Sequence, residues 1–314
     1  MKIINANQVT QNLSFKTLIH LLQQAFSQEF MMPQRQVFAL DESSQNHDAF
    51  ALLPAWNERV IGVKAFTYFP ENGGDLKYLY SKIMLFERDT GVPVALIDGT
   101  CETYWRTAAI SALASQLLSN EQSQRMFLFG SGNLAPYLIE AHLSIRPITE
   151  VFIAARNLPK VDALVKTLRE KHPHIAFNRS KDLSKDISSS DILVCATASP
   201  SPLFAADDIS PGTHIDCLGN HLANQRECDS ETVLRSRLYV DSLKNTLHEA
   251  GEIIIPIEQK IIKPSHIIAE LKQLCCDSSL GRRSTEEVTL FKSVGTAISD
   301  ITTAYHVFNS INAS

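Results

Sequence analysis

Leu128-Phe129-Gly130-Ser131-Gly132-Asn133-Leu134-Ala135 joins a short apolar strand to a helix-like run through Gly-x-Gly-x-x-Ala. That spacing is the fingerprint of a dinucleotide cradle. The first glycine allows the tight turn, the second lets backbone approach a pyrophosphate, and a small third residue lets helix pack on strand while the helix N-terminus faces the phosphates. A Gly-x-Gly run alone is weak. Its flanks strengthen it, because Met126 to Phe129 supplies the strand and Leu134 to Leu143 an apolar helical face.

Working outward, short apolar runs recur from residue 126 onward: Val151 to Ala154, Ile175 to Phe177, Asp191 to Ala196, His214 to Leu218 and Leu238 to Val240. Helix-like stretches such as Leu158 to Lys171 separate them. Near-continuous hydrophobicity fits strands covered on both faces, so the expected fold is α/β with a Rossmann-type doubly wound parallel sheet. Before residue 120 the texture changes. Val60 to Phe69, Lys82 to Phe86 and Val92 to Asp98 read as a mostly antiparallel sheet, followed by a helix over Thr103 to Leu118. The run Thr285 to Phe308 reads as helical and is expected to pack back on this N-terminal part. The expected domains are therefore 1–118 with 296–314, an α+β unit built from both chain ends, and 119–295, the nucleotide-binding unit.

The 314 residues include 44% hydrophobic and 20% charged side chains, ordinary values for a globular chain. A net charge of -5 without a basic run gives no reason to expect nucleic acid. No stretch approaches the roughly 20 apolar residues that cross a bilayer, and the N-terminus lacks a signal-peptide core, so a cytoplasmic protein is expected. Six cysteines without a C-x-x-C pair read as reduced thiols, and ten histidines show no metal spacing, so no metal is expected.

The second strand of such a fold discriminates the cofactor. An acid at its end bonds ribose hydroxyls and repels a 2'-phosphate, whereas arginine accepts that phosphate. Here the strand ends Ala155-Arg156-Asn157, which favours NADPH over NADH, although a solvated strand-end arginine has the same sequence. Thr197 and Ala198 follow another strand at the sheet's carboxyl edge, where they line the dinucleotide or cap a loop.

Further motifs flank this core: Met32-Pro-x-Arg35, Gly62-Val-Lys64, Asp98-Gly-Thr with Thr103-Tyr-Trp-Arg106-Thr107-Ala-Ala, and Gly281-Arg to Lys292-Ser-Val-Gly295 and Asp300. Together and in this order they resemble the ornithine cyclodeaminase/mu-crystallin family over nearly the whole chain. The resemblance implies a substrate and dimerisation domain beside the NADP-binding domain, and a homodimer. It places Arg35, Lys64 and Arg106 around a substrate carboxylate, a role that suits an arginine fork and a partly desolvated lysine. It adds Ser81, Arg106, Thr107, Ser293 and Gly295 to Gly130, Ser131, Gly132, Asn133, Leu134, Ala135, Arg156, Asn157, Thr197 and Ala198 as cofactor-binding positions.

Cyclodeaminase members look to carry an acid in a Gly-x-Asp-x-Pro-Gly-Lys-x-Glu-Leu segment. Here the run is Gly219-Asn-His221-Leu-Ala-Asn-Gln-Arg-Glu227-Cys, with histidine in the acid's place. An imidazole does not replace a carboxylate that balances an ammonium. The resemblance therefore points to the branch reducing cyclic imino acids, Δ1-pyrroline-2-carboxylate to L-proline and Δ1-piperideine-2-carboxylate to L-pipecolate, with NADPH. Lys64 is the first candidate for carboxylate contact or proton supply, and His221 or a water the second. The alternatives are an ornithine cyclodeaminase, an alanine-dehydrogenase-like oxidoreductase, and a mu-crystallin-like binder of NADPH and small ligands.

Overall fold

Burial alternates along the strands between Ala49 and Asp98, because the extended backbone sends every second side chain to the same face of a sheet. The computed structural model describes residues 1–41 and 48–313. It divides into two compact units, Met1–Ile110 with the chain from Thr296 onward, and Ser111–Gly295. The division falls at residue 110 rather than the expected 118, inside one uninterrupted helix, because nothing between Arg106 and Leu118 breaks it.

The first unit begins β1 (Lys2–Ile4), α1 (Ala6–Gln11), α2 (Phe15–Ser27), β2 (Gln36–Ala39), β3 (Ala49–Trp56), β4 (Val60–Tyr68), β5 (Leu79–Glu87), β6 (Pro93–Asp98) and α3 (Gly99–Leu118). Its six strands lie in the order β1-β6-β5-β4-β3-β2. All neighbours are antiparallel except β1 with β6. One face of the sheet carries Leu53, Lys64, Ile83, Leu85 and Ile97, all buried. Against it packs the C-terminal helix Ala297–Ala313, and on that helix packs α2, whose Leu18, Leu22 and Phe26 recur at helical spacing. Gly62 matters here: a Cβ on it would stand 2.6 Å from Ile301 Cγ2, so its bare backbone admits the C-terminal helix close to the sheet.

The second unit continues with β7 (Arg125–Phe129), α4 (Ala135–Leu143), β8 (Glu150–Ala154), α5 (Leu158–Lys171), β9 (Ala176–Arg179), α6 (Leu183–Ser188) and β10 (Ile192–Cys195). It closes with β11 (His214–Cys217), α7 (Ser230–Arg235), β12 (Arg237–Val240), α8 (Leu243–Glu249), α9 (Gly251–Glu258), β13 (Ile267–Glu270), α10 (Leu271–Cys276) and β14 (Thr289–Lys292). The C-terminal helix of the first unit is then α11. The eight strands run β13-β12-β14-β11-β10-β7-β8-β9, every pair parallel. Chain order reverses between β7 and β10, the switch point at which such sheets bind ligands. One face packs Phe127, Phe129, Leu193, Ile215 and Leu290 with Val233 of α7 and Ile253 of α9.

The reading of Thr285 to Phe308 as one helix is corrected. Its first part contains β14, a fully buried strand between β11 and β12, and only Ala297–Ala313 is helical. Four apolar-rich residues carry no periodicity that separates a covered strand from a helical turn.

Candidate active site

The glycine loop leaves β7 beside β10. Gly130 has φ +126°, and a Cβ there would stand 2.7 Å from the Ala196 carbonyl oxygen, so side chains are barred by conformation and by space. Gly132, by contrast, faces open space. Helix α4 starts at Leu134 without a side-chain cap and has no acid in its first turn. Helices α5, α6, α7 and α8 instead begin at Asn157, Asp182, Asp229 and Ser242, whose side chains accept backbone N–H groups. An uncapped N-terminus beside a bare backbone is what an anionic pyrophosphate needs, so these residues fit the dinucleotide. Around the turn, Ser131 is half-buried, Asn133 exposed and Ala135 buried.

Arg156 is exposed at the end of β8, with no hydrogen bond or ion pair to the described residues. Asn157 beside it uses Oδ1 to accept Lys160 N at 3.0 Å. Ala198 is exposed, but the Thr197 hydroxyl is already engaged: Thr197 N and Oγ1 donate to Glu227 Oε1 at 2.6 and 2.8 Å. Glu227 Oε2 accepts Gly219 N at 2.8 Å, so one buried carboxyl ties together the loops after β10 and β11. Ser293 Oγ likewise donates to Asp241 Oδ2 at 2.7 Å, as does Gly295 N. Of the residues expected at the cofactor, Thr197 and Ser293 therefore have side chains that fix loops.

Below these loops lie Cys217, Glu227 and Glu252, whose ligand atoms fall within 4.8 Å of one another. Lys292 supplies the cation there, 2.9 Å from Glu252 and donating to Asn220 O at 2.8 Å. An ammonium in that place answers the acids without a metal ion.

In the first unit, Lys64 points from β4 to the covered face and is 1% exposed. Its Nζ donates to Asp300 Oδ1 at 2.8 Å and to Thr103 Oγ1. Arg106 Nε donates to the same Asp300 oxygen at 2.8 Å, and its two terminal nitrogens have no partner among the described residues. The Gly62 contact explains how Asp300 reaches Lys64, since Ile301 seats α11 against β4 one residue further on. Glu102, one turn before Arg106 on α3, completes the cluster with Oε2 3.7 Å from Lys64 Nζ.

Two buried acids compete here for two cations. Asp300 receives both charge-assisted hydrogen bonds, each worth about 1.5–3 kcal/mol, while Glu102 receives none. Burial opposes ionisation of Asp300, but Arg106 and then Lys64 outweigh it and hold the carboxyl below its ordinary range. Burial pushes Glu102 well above its ordinary range; Lys64 opposes this and Asp300 adds to it. Its place in the first turn of α3 favours the anion by roughly 0.3–1 kcal/mol, against a desolvation cost of several kcal/mol, so burial favours the neutral form of Glu102. Lys64 and Arg106 thus face Asp300 with free guanidinium N–H groups left over, an arrangement that can hold a carboxylate.

Arg35 is half-buried one residue before β2, whose first residue Gln36 pairs with Leu52, next to the Leu53–Lys64 register pair. Ser81 lies on β5, on the same face as Lys64, with Oγ buried and unpartnered, and Thr107 is half-buried on α3. His221 is exposed in the loop after β11. Sequence reasoning assigned no role to Asp300, Lys292 or Glu227, although all three stand in quoted motifs, and missed Glu102 altogether. The i, i+4 spacing of Glu102 and Arg106 was the available signal.

The sequence matches the ornithine cyclodeaminase/mu-crystallin family over residues 1–314. A Delta(1)-pyrroline-2-carboxylate reductase of Colwellia psychrerythraea is 55% identical over 314 residues, covering 99% of each chain. The Thermococcus litoralis Delta(1)-pyrroline-2-carboxylate reductase, solved with NADH and L-proline, superposes with a TM-score of 0.94 at 30% identity, covering 100% of this chain and 98% of that one. An archaeal alanine dehydrogenase dimer with bound NAD shares the fold, at a TM-score of 0.91 and 24% identity over 99% of this chain and 96% of that one. No helix among the described residues is long and apolar enough to cross a membrane.

Proposed function

Because the chain belongs to the ornithine cyclodeaminase/mu-crystallin family, we propose that it is an NAD(P)H-dependent oxidoreductase that reduces the C=N bond of cyclic imino acids. Its substrates are Δ1-pyrroline-2-carboxylate, giving L-proline, and Δ1-piperideine-2-carboxylate, giving L-pipecolate. The observation that carries this reading is the buried Lys64–Asp300–Arg106 cluster, in which one anion fixes two cations and leaves the Arg106 terminal nitrogens unpaired. Such a fork takes a carboxylate in a bidentate, orienting grip, and Arg35 at the start of β2 is its proposed third member.

The bound reduced nicotinamide supplies the hydride. The chain's own residues do the rest: Arg106 holds the carboxylate, and Lys64 Nζ donates a proton to the ring nitrogen as the C=N carbon gains hydride. Asp300 keeps Lys64 aimed, and His221 or a water is the second candidate donor. The Thermococcus enzyme was solved with NADH. The NADPH preference proposed here rests on exposed, unpaired Arg156 and on the absence of an acid in Ile153-Ala-Ala-Arg156.

A homodimer belongs to the same reading. The second face of the first unit's sheet presents Leu52, Trp56, Ile61, Val63, Met84 and Phe86, half-buried and apolar across neighbouring strands. A face of that composition calls for cover. The proposed location is the cytoplasm, where unlinked and mostly buried thiols are stable.

The test is NADPH oxidation with each cyclic imino acid, set against ammonia release from L-ornithine with NAD. Oxidation confined to the imino acids is expected; ammonia release without it refutes the reductase. Arg106→Ala should lower turnover by about 10²-fold or more while NADPH binding stays nearly intact.

A further inference from the structure

Glu102 has no part in that account, yet it is the group the cluster leaves least satisfied. It is wholly buried, and neither carboxyl oxygen has a hydrogen-bond partner among the described residues. The nearest cation, Lys64 Nζ at 3.7 Å, directs two of its three N–H groups at Asp300 and Thr103. A buried carboxylate without donors is disfavoured, whereas a neutral carboxyl tolerates the same place. The charged groups around it are Lys64 from β4, Asp300 from α11 and Arg106 on its own helix, with the Cys101 thiol beside it.

We propose that Glu102 couples carboxylate binding to a proton: as a neutral carboxyl it leaves Lys64 and Arg106 in excess over Asp300 by one charge, and a bound carboxylate cancels that excess. Ionised Glu102 fills the same electrostatic place and opposes the ligand. Burial raises the pH at which this happens. By linkage, a carboxylate ligand favours protonated Glu102, and protonated Glu102 favours the ligand by the same factor. The coupling rests on the proposed imino-acid reading, since it needs a carboxylate at Arg106. No covalent step is involved; the proton stays on Glu102 while the ligand is held.

The experiment uses the full-length protein and pyrrole-2-carboxylate, a planar ring acid that hydride does not reduce, with pyrrole-2-carboxamide as the uncharged control. Below the titration of Glu102 the affinity for the acid should be constant; above it, affinity should fall about tenfold per pH unit. Glu102→Gln keeps the neutral shape, so its affinity should stay flat over the same range, and the carboxamide should show no pH dependence with either protein. Infrared titration without ligand supplies an independent readout: buried Glu227 is also protonated at neutral pH and gives a band in both proteins, so the unionised carboxyl band of Glu102 should appear in the wild-type minus Glu102→Gln difference spectrum. A wild-type protein lacking that band, or a Glu102→Gln variant that keeps the wild-type pH dependence, overturns the proposal. Pyrrole-2-carboxylate that binds at no pH overturns the coupling together with the imino-acid reading. Active reduction with a pH-independent affinity for the acid overturns the coupling alone.

Discussion

Replacing Asp300 by Asn preserves shape and removes the one anion that Lys64 Nζ and Arg106 Nε share, each at 2.8 Å. Hydrogen bonds to charged groups contribute about 1.5–3 kcal/mol each, and removing one partner of a buried ion pair costs about 3–5 kcal/mol. The Asn carbonyl still accepts a bond, which sets the expected loss near the lower end, ~3 kcal/mol. Glu102 limits the loss further: without Asp300 pushing its carboxyl up, Lys64 draws it toward the anion. Asp300→Asn combined with Glu102→Gln should therefore destabilise more than the sum of the separate changes. Urea unfolding followed by tryptophan fluorescence reads this locally, because both tryptophans, Trp56 and Trp105, lie in the first unit. Coincidence with the circular-dichroism transition establishes whether a single free energy applies. The sign with pH is fixed. Asp300 is held below its ordinary range, so its contribution is complete above the unfolded value of about 3.9 and is lost as pH falls through the lower folded value. With Glu102 replaced by Gln in both proteins, so that Asp300 alone of the cluster's acids titrates, the gap that Asp300→Asn opens should thus be constant near neutrality and close in strong acid. A variant within about 1 kcal/mol of wild type at neutral pH, or a gap that widens in acid, refutes the assignment of Asp300 as the cluster's ionised anion.

Gly62→Ala would place a Cβ 2.6 Å from Ile301 Cγ2 and 2.9 Å from Leu85 Cδ2, so it should cost about 1–3 kcal/mol in the same unfolding assay and weaken pyrrole-2-carboxylate; unchanged stability would show that α11 does not depend on the bare backbone. Arg156→Ala should raise the NADPH dissociation constant about 10–100-fold and leave that for NADH nearly unchanged, as titration calorimetry can read; equal losses would remove the argument for NADPH. Glu227→Gln turns an amide N–H toward Gly219 N and should destabilise by about 1–3 kcal/mol, seen as a lower thermal midpoint. Burial, with Cys217 adding and Lys292 opposing, pushes Glu227 up to about 8, so the folded chain holds a proton the unfolded chain releases near 4.3. Wild-type stability should decline across that interval, and the decline should be shallower in Glu227→Gln; an identical slope would remove Glu227 from the titration.

What the sequence revealed and what it concealed divide along physical lines. The Gly130 turn was legible because its requirement is local: a positive φ at the first glycine and a small residue ahead of a helix can be read within eight residues. Strand β14 was not, because Thr289–Lys292 is buried on both faces and shows no alternation, and strong helical periodicity follows it from Ala297. Strand β3 carries Pro54, a residue that usually argues against a strand. The structure permits it because β2 pairs with β3 only from Ala49 to Leu52, so no β2 residue faces the missing N–H. The site divides in the same way. Lys64 and Arg106 were found through the family resemblance of the short motifs that carry them, a feature of each residue's own neighbourhood in the chain. Asp300, which fixes both, is separated from Lys64 by 236 residues, and no local pattern joins them. Glu102 lies nearer, one turn from Arg106, but its chemistry depends on where Asp300 arrives. Had α11 seated Asp300 one turn further along, Glu102 would be the natural acceptor for Lys64 and would ionise. The protonation state of one acid is thus decided by the placement of another at the far end of the chain, and that placement depends on the missing side chain at Gly62.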